Sequence, residues 1–236
     1  MFTLMSIASS SAGNLHLLSD GDTTVMLDCG ISWRKARERI GFDRIGDIPI
    51  LVTHEHKDHC KGILDTQCRN DVYLPRETRE ALKLTGYNHH AIEPLRRYTV
   101  GSLCFIPFPL VHDVACFGYL IRGKDNEKAA YITDTAYVPN RLPPLTLLAI
   151  ECNYCEDILA RYEGSDRKRA ERVARTHFGL ENVLEFIRAN DQSKLREIHL
   201  LHMSNGNSDE SKMIVSVEDA VPGVKVFASP VRSDVY

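Results

Sequence analysis

I-P-I-L-V-T-H-E-H-K-D-H, running from Ile48 to His59, decides how this chain folds. Ile48 to Thr53 is a short apolar run of the kind that makes a buried strand, and it gives way directly to histidines. Side chains alternate in extended backbone, so His54 and His56 point to the same side. A helical pattern opens at Lys57 and is expected to run to Gln67, and Asp58 and His59 come round as the chain turns into it. They can face a second ion close to the first. Such a segment is either a solvated histidine-rich turn or half of a metal site, and ligands elsewhere decide between the two.

Those ligands also occur where strands end. His112 follows the run Phe105 to Val111, Asp134 follows Ala129 to Thr133, and His202 closes Ile198 to Leu201. Loops at strand ends are where a sheet scaffold presents its chemistry. Together the seven residues supply five imidazoles and two carboxylates, a set that suits zinc, manganese or iron. The lone C-x-x-C at Cys152 and Cys155 lacks the two further ligands that a structural zinc would need.

Outward from this centre the chain reads as two blocks of strands, each with helices. Strands are expected at Thr3–Ala8, Asn14–Leu18 and Thr23–Asp28, and a helix capped by Ser32 at Trp33–Ile40, stopped by Gly41. A second helix is expected from Pro75, at a first helical position, to Leu84. Strands follow at Leu103–Leu110, Phe117–Arg122, Ala129–Thr133 and Leu145–Cys152. Helices at Arg167–Arg175 and Leu180–Ala189 lead to final strands at Glu197–Met203 and Val224–Ala228. This order predicts an α/β protein of two mixed sheets packed face to face and flanked by helices, in one domain over residues 1–236.

The bulk composition excludes more than it selects. A net charge of −3, with 43% hydrophobic and 26% charged residues, describes an ordinary globular chain and makes no global electrostatic case for a polyanionic or membrane partner. No run approaches the roughly 18 apolar residues that span a bilayer, and the opening M-F-T-L-M-S-I lacks a basic leader. Seven cysteines scattered among apolar neighbours suit buried free thiols, and a cytoplasmic location is expected.

H-x-H-x-D-H followed by separated His, Asp and His resembles the metallo-β-lactamase fold superfamily over nearly the whole chain. The resemblance implies a four-layer αββα sandwich with two divalent metal ions, Zn(II) first, Mn(II) or Fe(II) as alternatives. It assigns His54, His56 and His112 to one ion, Asp58, His59 and His202 to the other, and Asp134 to both. Asp28, in V-M-L-D-C-G, matches the family's buried aspartate behind the metal loop and would orient it. His59 stands where β-lactamases carry Arg, and Asp134 where the commonest zinc β-lactamases carry Cys, so the likeness points away from antibiotic hydrolysis.

S-I-A-S-S-S-A-G-N at Ser6–Asn14, A-I-E-C-N at Ala149–Asn153, T-H-F-G-L-E-N at Thr176–Asn182 and L-H-M-S-N at Leu201–Asn205 resemble the bacterial YycJ/WalJ-type exonucleases and, more loosely, the ribonuclease Z branch. The comparison makes His177 an active-site histidine that is not a ligand, and an imidazole beside a helix N-terminus can bind the scissile phosphate or protonate the leaving oxygen. Asp58 would accept the proton of the attacking water while coordinating, and Ser204 or Asn205 would hydrogen-bond a non-bridging oxygen. A homodimer is a further implication of the resemblance.

The expected activity is phosphodiester hydrolysis of DNA or RNA, because a carboxylate bridging two ions suits in-line displacement at phosphorus. A small-molecule or cyclic-nucleotide phosphodiesterase and a glyoxalase-type thioester hydrolase are the alternatives. Two basic clusters, Arg34, Lys35, Arg37 and Arg39, then Arg167, Lys168, Arg169, Arg172 and Arg175, are candidate phosphate contacts, although interleaved acids also fit a solvated face.

Overall fold

Residues 1–65 and 67–229 are described by the computed structural model, in which strands and helices follow the order β1 (Thr3–Ser10), β2 (Gly13–Ser19), β3 (Thr24–Leu27), α1 (Trp33–Ile40), β4 (Ile50–Leu51), α2 (Lys57–Cys60), β5 (Val72–Pro75), α3 (Arg76–Ala81), β6 (His89–Ile92), β7 (Tyr98–Val100), β8 (Leu103–Leu110), β9 (Cys116–Arg122), β10 (Lys128–Ile132), β11 (Leu147–Glu151), α4 (Glu156–Leu159), α5 (Gly164–Thr176), α6 (Leu180–Ala189), β12 (Glu197–Leu201), α7 (Glu210–Ala220) and β13 (Lys225–Ala228). The first sheet has the order β1-β2-β3-β4-β5-β6 and the second β13-β12-β11-β10-β9-β8-β7. Both are mixed. In the first sheet β1 to β3 are antiparallel and β3 to β6 parallel. In the second, β7 to β10 are antiparallel and β10 to β13 parallel.

Period-2 alternation sorts the apolar residues into three layers of core. Val25 and Leu27 of β3 join Phe105, Tyr119, Tyr131 and Leu201 between the sheets. Met26, between them in sequence, faces the other way and packs with Trp33 and Ala36 of α1. On the second sheet Leu148 and Ile150 meet Val183 and Phe186 of α6 and Met213 and Val217 of α7. Helix, sheet, sheet and helix are therefore each joined to the next by buried apolar surface, which is the four-layer αββα sandwich.

Several elements differ from their sequence expectation. The helix opening at Lys57 ends at Cys60 rather than Gln67, because the Gly62 N–H turns to the Cys29 carbonyl (2.7 Å) and the following residues form turns. Pro75 is the last residue of a strand, with ψ 145°, and its helix covers only Arg76–Ala81. The short strands β5, β6 and β7 and the helices α4 and α7 were not foreseen. Ser32 does cap α1, accepting from the Lys35 N–H, and Gly41 ends it at φ 107°. No helix among the described residues is long and apolar enough to cross a membrane.

Candidate metal centre

Strands of both sheets deliver their C-terminal ends to one place. The loop after β4 brings His54, His56, Asp58 and His59 from the first sheet, and the ends of β8, β10 and β12 bring His112, Asp134 and His202 from the second. His54, His56, His112 and Asp134 form one group of potential ligand atoms, and Asp58, His59, Asp134 and His202 another, each with its atoms within 4.8 Å of one another. Asp134 belongs to both. Its Oδ2 lies 3.3 Å from His59 Nε2, 3.8 Å from His54 Nε2 and 4.0 Å from His112 Nε2, and its Oδ1 lies 3.2 Å from His202 Nδ1. All seven residues singled out in the sequence therefore converge.

The imidazoles are oriented as ligands need to be. A metal-binding histidine usually engages its other ring nitrogen with a carboxylate or carbonyl, which fixes tautomer and direction. His59 Nδ1 donates to Asp28 (2.8 Å), His54 Nδ1 lies 2.9 Å from Thr53 Oγ1, and His112 Nδ1 donates to the Thr176 carbonyl (3.1 Å). His202 Nδ1 donates to Glu151 Oε1 (3.0 Å). The buried Nε2 atoms of His54 and His202 are left without a hydrogen-bond partner. Buried polar nitrogens aimed at carboxylates and lacking hydrogen donors or acceptors fit a site for cations. His56 is half-exposed, with Nδ1 3.3 Å from His112 Nε2.

The electrostatics of the cluster also favour cations. Burial disfavours charge on His59, but Asp134 and Asp28 overcome it and hold the ring well above the usual imidazole range. His202, likewise buried, is pushed up to about 10 by Asp134, Asp58 and Glu151. Burial would raise Asp58, yet the His202 and His59 rings, each 3.6 Å from its Oδ2, draw it below the carboxylate range. His54, with burial and His59 acting against it, falls well below. Carboxylates here hold either protons or metal ions on their neighbours.

Behind these seven residues, Asp28 is wholly buried and tied down on every side. It accepts from the Thr53 N–H (2.8 Å), from Thr53 Oγ1 (3.0 Å) and from the Tyr131 hydroxyl (2.8 Å) as well as from His59. Asp28, Asp134 and His202 all have left-handed backbone, with φ 59°, 44° and 52°. For non-glycine residues this costs on the order of 1–3 kcal/mol each and clusters at functional sites.

The cleft above the centre, about 330 Å³, is lined by Ser11, Asp113, Arg172, Thr176 and His177 in addition to five of the ligands. His177 Nδ1 donates to Glu151 Oε1 (2.6 Å), and Glu151 also accepts from the backbone N–H of Thr135 (3.1 Å) and Phe178 (3.0 Å). Against the effect of burial, Glu151 raises His177 above the usual imidazole value. Ser204 and Asn205 are not among the cleft's lining residues; Ser204 instead bonds the Asn153 carbonyl through its N–H (3.0 Å). It is Ser9 Oγ that accepts from the His202 N–H (2.8 Å). Cys152 and Cys155 are buried free thiols, and none of the metal-capable groups among the described residues contains a cysteine.

Sequence reasoning missed Glu151, Asp113 and Asn14. Asn14 Nδ2 lies 3.1 Å from His59 Nε2 and donates to the Asp58 carbonyl (3.3 Å). Glu151 carried a readable signal, since an ionisable residue ending the apolar run L-L-A-I-E needs a partner when buried.

The profile of a family described as "Beta-lactamase superfamily domain" matches residues 23–203. Exodeoxyribonuclease WalJ of Streptococcus pneumoniae serotype 2 (strain D39 / NCTC 7466) is 26% identical over 221 residues, covering 86% of this chain and 81% of that protein. Exodeoxyribonuclease YycJ of Bacillus anthracis is 30% identical over 183 residues, covering 69% and 68%. Among solved structures, the metallo-β-lactamase fold protein YhfI of Bacillus subtilis superimposes with a TM-score of 0.74 at 16% identity, over 97% of this chain and 96% of that one, a likeness of fold.

Proposed function

Because this chain belongs to the β-lactamase superfamily and shares the phosphodiester-hydrolase chemistry of its exonuclease relatives, we propose that its natural substrate is nucleic acid, DNA first, degraded from an end. The observation that carries this reading is the Asp134 carboxylate common to two ligand groups. We assign His54, His56 and His112 to one divalent ion, Asp58, His59 and His202 to the other, and Asp134 to both. Five imidazoles favour Zn(II), and the carboxylates also suit Mn(II) or Fe(II). When bound, such a pair of ions supplies positive charge for phosphate oxygens and lowers the pKa of water.

The chain's own groups do the rest. Asp58, held in its ionised form, takes the proton released as water attacks phosphorus. Asp28 and Glu151 fix the rings around it. His177 faces the cleft with Nδ1 held by Glu151, and its raised pKa keeps a proton available for the oxygen that leaves as the phosphorus–oxygen bond breaks. Arg172, exposed on the cleft wall, offers a guanidinium to a phosphate.

The test is hydrolysis of bis(p-nitrophenyl) phosphate beside end-labelled single-stranded and duplex DNA and RNA, with Zn(II), Mn(II) and Fe(II) supplied separately. Wild type is expected to cleave both the diester and DNA, and Asp58→Ala to lose both by at least about a hundredfold. A stepwise ladder from one end identifies the exonuclease. Cleavage of the small diester with every polymer intact would assign a small-molecule phosphodiesterase, and glutathione thioester turnover without diester cleavage would sink the phosphoryl reading.

A further inference from the structure

The turn between β1 and β2 has two sides. Ser11 lines the metal cleft, while Ser10 and Ala12 beside it line a second groove that runs over Ser32 and Lys35 toward Arg39 and Lys61. The Asn14 side chain donates to the Ser10 carbonyl (3.2 Å) and the Asp58 carbonyl (3.3 Å), which ties this turn to the metal loop. Lys61 follows α2 directly, so it too is anchored to the segment that carries Asp58 and His59.

The groove's charge is one-sided. Lys35, Arg39 and Lys61 line it and no Asp or Glu does, in a chain whose net charge is −3. Helical spacing produces this. Arg34 points elsewhere and pairs with Glu38 at i+4 (3.1 Å), and Arg37 bonds Gln67 (3.0 Å), whereas Lys35 and Arg39, also four apart, share the groove face. Among the described residues neither Lys35 nor Lys61 has a carboxylate partner. Arg39 is steadied by donating to the Ile7 carbonyl (3.0 Å). Apart from Ile31 the remaining wall is small or hydroxylated, with Ala8, Ser9, Ser10, Ala12 and Gly13, and it contains no aromatic ring on which a base could stack.

We propose that this groove carries the sugar–phosphate backbone of the nucleic-acid substrate on its way past the metal centre, with Lys35, Arg39 and Lys61 each meeting phosphate. The inference rests on the nucleic-acid reading above and adds a path and a specificity. Cations and hydroxyls without stacking surfaces or base-reading amides hold the backbone and ignore the base, so degradation is independent of sequence at these positions.

The experiment compares wild-type holoenzyme with Lys35→Ala/Lys61→Ala and Lys35→Arg/Lys61→Arg. It measures kcat/KM on a long single-stranded DNA oligonucleotide and on a duplex over a salt series, with bis(p-nitrophenyl) phosphate as the substrate too small to reach the groove. Each lost phosphate contact reduces the salt slope by about 0.7–0.9, so between about 50 and 200 mM salt the alanine variant is expected to lose roughly tenfold less kcat/KM than wild type. It is also expected to have a raised KM on the oligonucleotide, unchanged turnover of the small diester and an unchanged Tm. The arginine variant should retain the wild-type slope. Alanine and wild-type enzymes with the same slope and KM on DNA would overturn the track and leave the nuclease reading standing. A holoenzyme that turns over the small diester and no polymer overturns both.

Discussion

Glu151 shows how one buried side chain governs its neighbours. Its carboxylate is wholly buried, accepts two backbone N–H bonds and holds the Nδ1 atoms of both His177 and His202. Glu151→Gln keeps the shape and removes the charge that raises His177. An imidazole whose pKa is raised stays protonated to higher pH, so wild type retains its proton donor to higher pH than an unpaired imidazole would. The variant's alkaline limb in kcat should move to lower pH, and kcat on a diester with a poor leaving group should fall roughly 10²-fold, the range of one general acid. A pH profile with an unmoved alkaline limb would show that Glu151 does not act through His177. The seven candidate metal-binding residues stood out in the sequence because four form H-x-H-x-D-H after one apolar run and the other three each follow another, and Asp28 stood out by resemblance. Glu151 also ends an apolar run and was missed because its role lies in partners distant in sequence, His177 and His202, which only the fold brings to it. Ser204 and Asn205, read by position as substrate contacts, follow the left-handed His202, and the Ser204 N–H bonds the Asn153 carbonyl.

Elements position this site by where they stop. β4 is a two-residue strand and α2 a single turn, so the metal loop is held less by its own helix than by what lies beneath it. Cys29 N–H bonds the His59 carbonyl (2.8 Å) and Gly30 packs directly under Asp58. A Cβ at Gly30 would overlap the Asp58 carbonyl carbon and oxygen and approach the Asn14 nitrogen within 2.7 Å. These are backbone atoms that cannot swing aside. Gly30→Ala is therefore expected to displace Asp58 and His59, costing about 1–3 kcal/mol of stability by overpacking and lowering metal affinity by 10-fold or more, roughly the penalty of disturbing ligand supports. Metal titration followed by calorimetry reads this directly, and wild-type affinity in a folded variant would show that the loop has another place to go. The same economy explains what sequence patterns missed at this scale. Residues 61–65, after α2, carry helical periodicity without helix, and β5 and β6 have four residues each, too few to display alternation. α7 was overlooked because its centre, M-I-V-S-V, is rich in β-branched residues that favour strands.

At the scale of the whole molecule the centre is a seam between two sheets. The first contributes His54, His56, Asp58 and His59, the second His112, Asp134 and His202, and each ligand group draws on both. Ions bound there would cross-link the sandwich at the edge where its strands end. Anything that binds only the folded state stabilises it by RT ln(1 + [L]/Kd), about 2.7 kcal/mol at a hundredfold excess over Kd. For a chain of this size each kcal/mol shifts Tm by roughly 2–4 °C. Chelation is accordingly expected to lower Tm by about 5–10 °C, with the native αββα signature in far-UV dichroism retained below the transition, because the three apolar cores are independent of the metal. The effect has a definite sign with pH. His59 and His202 are both held above the usual imidazole range, so at neutral pH both give up protons to become ligands. As pH falls, protons compete more strongly with metal, and the Tm difference between loaded and chelated protein should shrink. Scanning calorimetry with and without chelator across pH checks both parts, and proton release follows from the dependence of metal-binding heat on buffer ionisation enthalpy. Equal melting temperatures with and without chelator at neutral pH, in protein shown to carry metal, would mean that the sheets are fully locked by Phe105, Tyr119 and Tyr131 between them and that the ions serve chemistry alone.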